Sequence, residues 1–415
     1  MEKLRKVGFT MLTSLEDTLK RVFSQIRVNP IEEVEIINSL NRILATDITC
    51  WLDIPPFDRS AMDGYAIKAE DSFNASLNNP KKIRLVGTTE IGEFSSFNLN
   101  EGEGIKISTG APIPEGADAV IKIEDTEIEE DLINLYISLP PGKNVSKKGE
   151  DIKNGTIVLT EGIEIKAEHI ALLTSMGFNK VKVRKKPIIS IFSSGDELLE
   201  PGEPLEPGKI YNSNTTMISA LVKMYGGTVI RGETVKDDKN IIKNKLFEAI
   251  KYSDLIIFTG GTSVGTKDYL PEIITELGMI ITHGVAQRPG APILIGTINQ
   301  TLIFCLPGTP VAAYVSFLRI TGPAIRKMLG CSILDPRIEI LAQISKDVPV
   351  TSMGYLHYLR VMLEKSQKEL IAKPVKLKGS GVISSLTSSD GIVEIPPNQE
   401  GLKKGDLVKV KLFPK

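Results

Sequence analysis

The chain has 415 residues, with 50 Lys plus Arg against 51 Asp plus Glu and a formal net charge of −1. That length exceeds what one hydrophobic core serves and predicts about three or four domains. The balanced charge argues against a dedicated nucleic-acid binder with a strong basic field and favours a small-molecule partner. Cys50, Cys305 and Cys331 have neither metal-ligand spacing nor the pattern of a secreted disulfide framework, which fits a reducing cytoplasm. No apolar run follows the charged first residues, and no stretch reaches the roughly 18 apolar residues of a membrane span, so a soluble, unprocessed chain is expected.

From residue 11 the apolar positions Leu12, Leu15, Leu19, Val22, Phe23 and Ile26 recur at helical spacing, with Ser14 and Asp17 placed as a cap. A second helix is predicted over 33–44, followed by an extended stretch that arrives at Pro55-Pro56. Residues 53–150 mix short alternating strands (82–86, 104–107, 119–123) with Gly and Pro turns and predict a small β-rich domain. A helix over 166–176 and a strand at 181–183 follow. From Pro187 the pattern alternates: strand 188–192, helix 214–225, strand 228–232, helix 239–252, strand 254–258, helix 269–277, strand 301–306 and helix 311–329. Such alternation predicts a doubly wound, mostly parallel sheet with helices on both faces, whose ligands sit at the carboxyl ends of the strands. Beyond Cys331 the period becomes two (337–342, 407–412), predicting a C-terminal β-barrel or sandwich.

Two segments stand out chemically. Pro56-Phe57-Asp58-Arg59-Ser60-Ala61-Met62-Asp63-Gly64-Tyr65-Ala66 crowds polar and small residues where packing does not ask for them. Thr259-Gly260-Gly261-Thr262-Ser263-Val264-Gly265 lies between a strand and a helix, where backbone N–H groups and a helix dipole can face phosphate. The plain alternative is an ordinary glycine-rich connection. Gly261-Thr262-Ser263-Val264-Gly265 also has the form of a hydrolase nucleophile elbow, whose histidine must come from His169, His283 or His357. His357 lies in the β-rich tail, which disfavours that reading. A P-loop is rejected because Thr266-Lys267 reverses the order that reads Lys then Thr. Leu306-Pro307-Gly308-Thr309-Pro310 ends a strand and opens a helix, with Thr309 placed to cap and Pro310 at the first helical position, a second candidate anion cradle. Asp196, Glu197, Asp237, Asp238 and Asp268 follow strand ends of the same sheet. Carboxylates beside phosphate cradles make sense with a divalent cation between them, with Mg²⁺ as the default.

Six ordered segments together resemble the molybdopterin molybdenumtransferases, the MoeA family to which the gephyrin E domain is related. They are Phe57 to Ala66, Thr109-Gly110-Ala111-Pro112 continuing to Val120, Gly149-Glu150-Asp151-Ile152, Ser194-Gly195-Asp196-Glu197-Leu198, Gly260 to Gly265 with Asp268-Tyr269, and Leu306 to Val311. The resemblance implies an elongated N-terminal domain of residues 1–52 with 152–185, a β-rich second domain of 53–151, a molybdopterin-binding α/β domain of 186–330 and a C-terminal β-barrel of 331–415. It further implies a cytoplasmic homodimer whose α/β domain in one subunit faces the second domain of the other, with no membrane and no nucleic acid involved. The implied reaction takes adenylylated molybdopterin, releases AMP and inserts molybdate, or tungstate, with Mg²⁺ required; the molybdopterin adenylyltransferase is an implied partner. The family's important positions map onto Asp63, Thr109, Asp151, Glu197, Asp237 and Asp268, with Glu197, Asp237 and Asp268 as the metal set. Ser60, Ser194, Gly260, Gly261, Thr262, Ser263, Gly265, Arg288, Pro307, Gly308 and Thr309 are the implied substrate contacts, Ser60, Thr109 and Arg288 being the candidates for the oxyanion. Where many members carry three lysines this chain has Gly284, Arg288 and Ala291, which leaves the choice between molybdate and tungstate open. A non-catalytic scaffold of the gephyrin kind is the alternative from another class.

Overall fold

The computed structural model describes residues 12–96, 98–260, 269–350, 352–366, 369–375 and 379–414. The chain forms two compact units: Met1–Thr46, Glu161–Ile170 and Asn179–Lys415 make one, Asp47–Thr160 and Ala171–Phe178 the other.

The larger unit carries the alternating α/β pattern. Its elements are β1 (Ile188–Ser194), α1 (Ser213–Met224), β2 (Thr228–Val235), α2 (Lys239–Ile250), β3 (Leu255–Thr259), α3 (Leu270–Leu277), β4 (Met279–His283), β5 (Gln287–Arg288), β6 (Leu294–Ile298), β7 (Thr301–Leu306), α4 (Pro310–Ser316) and α5 (Gly322–Met328). Six of the strands form one sheet in the order β2-β1-β3-β7-β6-β4. The first four run parallel and the last two antiparallel. Alternation along each strand sends side chains to two cores. Leu255 and Ile257 of β3 join Leu302 and Phe304 of β7 against α1, α4 and α5, while Ile256, Phe258, Ile303 and Cys305 face α2 and α3. All three cysteines are buried.

The predicted helix over 311–329 is interrupted. A π-helical turn at Phe317–Thr321 separates α4 from α5, and Pro323 in the first turn of α5 accounts for the break, since it lacks the N–H that a continuous α-helix would use. The antiparallel hairpin of β4 and β6 was not expected from the sequence. The predicted helix over 33–44 is replaced by a strand, Ile31–Glu35, followed by a 3₁₀ turn at Ile36–Asn38. The reason is cross-strand charge: Glu33 lies opposite Lys182 and Glu35 opposite Lys180 on Lys180–Arg184. The first helix forms as read, over Leu15–Phe23, with Ser14 Oγ accepting from the Asp17 N–H at 3.0 Å.

After α5 come β8 (Glu339–Ile344), β9 (Leu356–Lys365), β10 (Leu370–Pro374), β11 (Gly391–Ile395) and β12 (Leu407–Leu412). Pairing closes in the ring β9-β10-β8-β12-β11-β9, the expected barrel, around Val361, Ala372, Val393 and Val410. Arg288 sits where the α/β layers meet this barrel, because β5 pairs in parallel with Leu356 and His357 of β9.

In the smaller unit six strands form one sheet in the order Ala119–Lys122, Gly64–Ile67, Glu103–Ile107, Lys81–Thr89, Leu132–Leu135 and Thr126–Glu129. Gly64 is required in it, since a Cβ there would lie 1.9 Å from the Ile121 carbonyl oxygen. Among the described residues no helix is long and apolar enough to cross a membrane.

Candidate functional site

At the carboxyl ends of β1, β3 and β7 lies a cleft of about 610 Å³. Its lining includes Ser194, Glu197, Asp237, Gly260, Arg288 and the Pro307-Gly308-Thr309 turn, so eight of the sequence-predicted positions share one crevice. This is the place a doubly wound sheet offers, where loops leave consecutive strands in different directions.

Hydroxyls hold the strand ends in register. Ser193, the penultimate residue of β1, is buried with its Oγ 2.6 Å from Thr259 Oγ1, 2.5 Å from Thr215 Oγ1 and 3.1 Å from Asn212 Oδ1. Asn212 caps α1 through the Thr215 N–H at 3.2 Å and donates from Nδ2 to Thr234 Oγ1 at 2.8 Å. Asn214 donates to the Gly308 carbonyl at 2.7 Å, tying the first turn of α1 to the loop after β7. Its Oδ1 is buried and has no partner among the described residues, an acceptor left over beside the cleft. Sequence reasoning missed Asn212, Asn214 and Thr215; the capping position ahead of a helix was the one signal available.

Glycine shapes the cleft floor. Gly260 has φ +93°, and a Cβ on it would stand 2.7 Å from the Ser194 carbonyl oxygen. Its N–H donates to the Leu306 carbonyl at 3.0 Å, so Gly260 acts through conformation and close approach rather than as an anion donor. Gly260→Ala is therefore expected to cost about 2 kcal/mol in a denaturant titration and to lower turnover with it. Gly261, Thr262, Ser263, Gly265 and Asp268 lie outside the described residues, and with them the expected phosphate loop and the serine of the hydrolase alternative. In the other cradle Pro310 takes the first helical position as expected, but Thr309, at the cap, makes no side-chain capping bond. Its hydroxyl is thus not committed to the helix end.

Charge in the cleft is acidic. The Glu197 carboxylate folds back over Gly195, where a Cβ would meet Glu197 Oε2 at 2.7 Å. Burial first, then the neighbouring Asp196 and Glu197 charges, push the Asp237 carboxyl above the usual carboxylate range, against the lowering effect of a hydrogen bond from Ser194. Among the described residues no three His, Cys, Asp or Glu side chains gather as a metal cage. Two cleft carboxylates nevertheless fit Mg²⁺, which commonly binds through one or two carboxylates plus substrate phosphates and water. Arg288 is the one cation lining the cleft among the described residues; its Nη1 donates to Ser352 Oγ at 2.7 Å and its guanidinium lies 4.4 Å from the Tyr355 ring centroid. Gly284 and Ala291 supply no charge beside it.

The remaining predicted residues belong to the smaller unit. Asp63 Oδ1 accepts from the Thr109 N–H at 2.8 Å, and the Gly110 N–H donates to the Ser60 carbonyl at 2.8 Å, so the two motif loops clasp one another. The Ser60 hydroxyl is buried and donates to the Met62 carbonyl at 2.5 Å, a turn-holding bond. Asp151 is exposed beside the bridge between Ile54 and Ile152.

The α/β layers around this cleft correspond to a domain class described as a probable molybdopterin binding domain, matched over residues 190–327. Residues 13–177 match the MoeA N-terminal region (domain I and II), and 347–413 the MoeA C-terminal region (domain IV). The chain is 36% identical over 421 residues to a putative molybdopterin biosynthesis protein of Methanocaldococcus jannaschii, covering 100% of this chain and 98% of that one. It is 35% identical over 404 residues to the molybdopterin molybdenumtransferase of Bacillus subtilis, covering 96% and 94%. A crystal structure of a molybdopterin biosynthesis MoeA protein from Pyrococcus horikoshii superposes with a TM-score of 0.85 at 32% identity, over 97% of this chain and 100% of that one. The chain belongs to the MoeA family of molybdopterin molybdenumtransferases, transferases of molybdenum cofactor biosynthesis.

Proposed function

We propose that this chain performs the metal-insertion step: adenylylated molybdopterin is bound, AMP is released, and molybdate or tungstate enters at the dithiolene. The observation that carries the reading is one cleft in which Glu197 and Asp237 lie beside the Pro307-Gly308-Thr309 turn and Ser194. Glu197 and Asp237, with Asp268 as the third proposed ligand, would hold Mg²⁺, which would supply a positive charge to offset that on departing AMP. The chain's own part is positioning. Ser194 and Asp237 line the cleft together, the Thr309 hydroxyl is the proposed phosphate contact, and Arg288 supplies a fork suited to an oxyanion. The proposed unit is a cytoplasmic homodimer in which Asp63, Thr109 and Asp151 of one subunit complete the cleft of the other, with the four-domain division given above and the adenylyltransferase as the supplier of substrate.

Turnover with molybdate and tungstate in parallel, with AMP release and metal incorporation both measured, tests this. AMP release dependent on Mg²⁺ and on one of the oxyanions is expected. Binding of substrate with neither AMP nor metallated product would leave the scaffold reading in its place.

A further inference from the structure

A second cavity, of about 570 Å³, lies in the same compact unit and shares no lining residue with the cleft. Its wall combines the end of α1 and the turn after it, the end of α5, the segment before β8 and the residues after β12. Two of the wall residues carry buried donors that have no hydrogen-bond partner among the described residues, the Tyr225 hydroxyl and Arg337 Nη1. Tyr225 is 1% exposed and the Arg337 side chain 0%. Nε and Nη2 of Arg337 both donate to Asp335 at 2.8 Å, which fixes the guanidinium fork and leaves its third nitrogen unused. Burial pushes the Tyr225 phenol up to about 12, so it stays a donor throughout the physiological range. A buried donor without an acceptor destabilises the fold, and an arriving acceptor removes that cost.

Charge points the same way. Among the described residues Lys186, Lys223, Arg326 and Arg337 line the cavity against the one carboxylate of Glu164, which Arg326 already engages at 3.1 Å. Asp335 is likewise taken up by Arg337. Lys186 and Lys223 are exposed. Met224, Leu329, Leu412 and Phe413 add an apolar wall. Unused donors, excess positive charge and apolar surface in one concavity define a ligand class.

We propose that this cavity binds a small organic oxyanion, a carboxylate or phosphate on an apolar body, with the anion on Arg337 Nη1 and the Tyr225 hydroxyl and the body against Leu329 and Phe413. The site is independent of the reaction assigned to the cleft.

Calorimetric titration of the full chain with phenyl phosphate, benzoate and neutral benzyl alcohol tests the proposal and separates the two anion sources. One or both anions are expected to saturate a single site, and benzyl alcohol is not. Tyr225→Phe removes only a hydroxyl without a partner, so the protein keeps or gains melting temperature while anion affinity falls about tenfold. Lys223→Gln, at an exposed position, weakens binding about threefold and flattens its salt dependence. The cleft variant Asn214→Ala leaves the titration unchanged. The proposal is overturned if neither anion saturates at millimolar concentration, if Tyr225→Phe and Lys223→Gln bind as the parent does, or if Asn214→Ala alone abolishes binding.

Discussion

Replacing Asp237 by asparagine is expected to slow Mg²⁺-dependent AMP release by about 10²- to 10³-fold while leaving the fold intact. The carboxylate is partly buried beside Asp196 and Glu197, whose charges oppose its ionisation. Neutralising it removes repulsion, so melting temperature is expected to hold or rise slightly. Loss of either carboxylate weakens the hold on the proposed cation, so raising Mg²⁺ is expected to recover part of the lost rate in Glu197→Gln or Asp237→Asn. Rates equal to the parent at all Mg²⁺ concentrations would remove Asp237 from the mechanism.

The same variant tests the proposed homodimer and its shared cleft. Asp63→Asn and Asp237→Asn are each expected to be nearly inactive as pure dimers. After mixing and exchange, half the dimers are hybrids, each with one cleft that combines an intact Asp237 with an intact Asp63 from the other subunit. Recovery of about a quarter of parental activity is the expected result for a dimer of this symmetry. No recovery in a mixture shown by mass to contain hybrids would place both residues in one subunit's site or exclude Asp63.

The placement of the strand-end residues was legible in the sequence because strand ends announce themselves. Ser194 and Glu197 come at the end of the apolar run from Ile188, Asp237 comes just after the strand Thr228–Val235, and such a sheet places those ends on one edge. The supporting hydroxyl network was not legible. Ser193 meets Asn212, Thr215 and Thr259, partners 19, 22 and 66 residues away, and only the packing of α1 against β1 and β3 brings them together. Local pattern also failed at 33–44, where spacing suited a helix but Lys180–Arg184 offered Glu33 and Glu35 a cationic strand. Arg288 was legible as a charge and not as a stack: Tyr355 and Ser352 reach it from the barrel, more than sixty residues on, and hold the guanidinium at the cleft.

Asp335→Ala is expected to destabilise the larger unit by about 3 kcal/mol, because it leaves buried cations without their anion. Asp335 takes both forks of Arg337 at 2.8 Å, Arg319 at 3.1 Å and Lys411 at 3.5 Å. The Arg319 and Arg337 side chains are 13% and 0% exposed, so water cannot take over the lost contacts. Glu394 of β11 shares Arg319 at 3.2 Å and Lys411 at 3.4 Å, and the network thereby fastens the π-helical turn after α4 to the barrel. Burial alone would raise the Asp335 carboxyl, but the hydrogen bonds and charge of Arg337, with Lys411 and Arg319, hold it down at about 2. A carboxyl lowered by folding contributes stability that is fully present above its unfolded value near 4 and is lost as pH falls through the folded value. Denaturant titrations at several pH values are therefore expected to show a wide gap between parent and Asp335→Asn at pH 7, closing progressively between about pH 4 and pH 2. The double variant Asp335→Leu/Arg337→Met, which removes the Arg337 charge with the carboxylate, is expected to recover much of the loss in Asp335→Ala. Equal midpoints for parent and Asp335→Ala at pH 7 would show that the network carries no net stability, and that the barrel is held by Tyr358, Val311 and Ile392 packing instead.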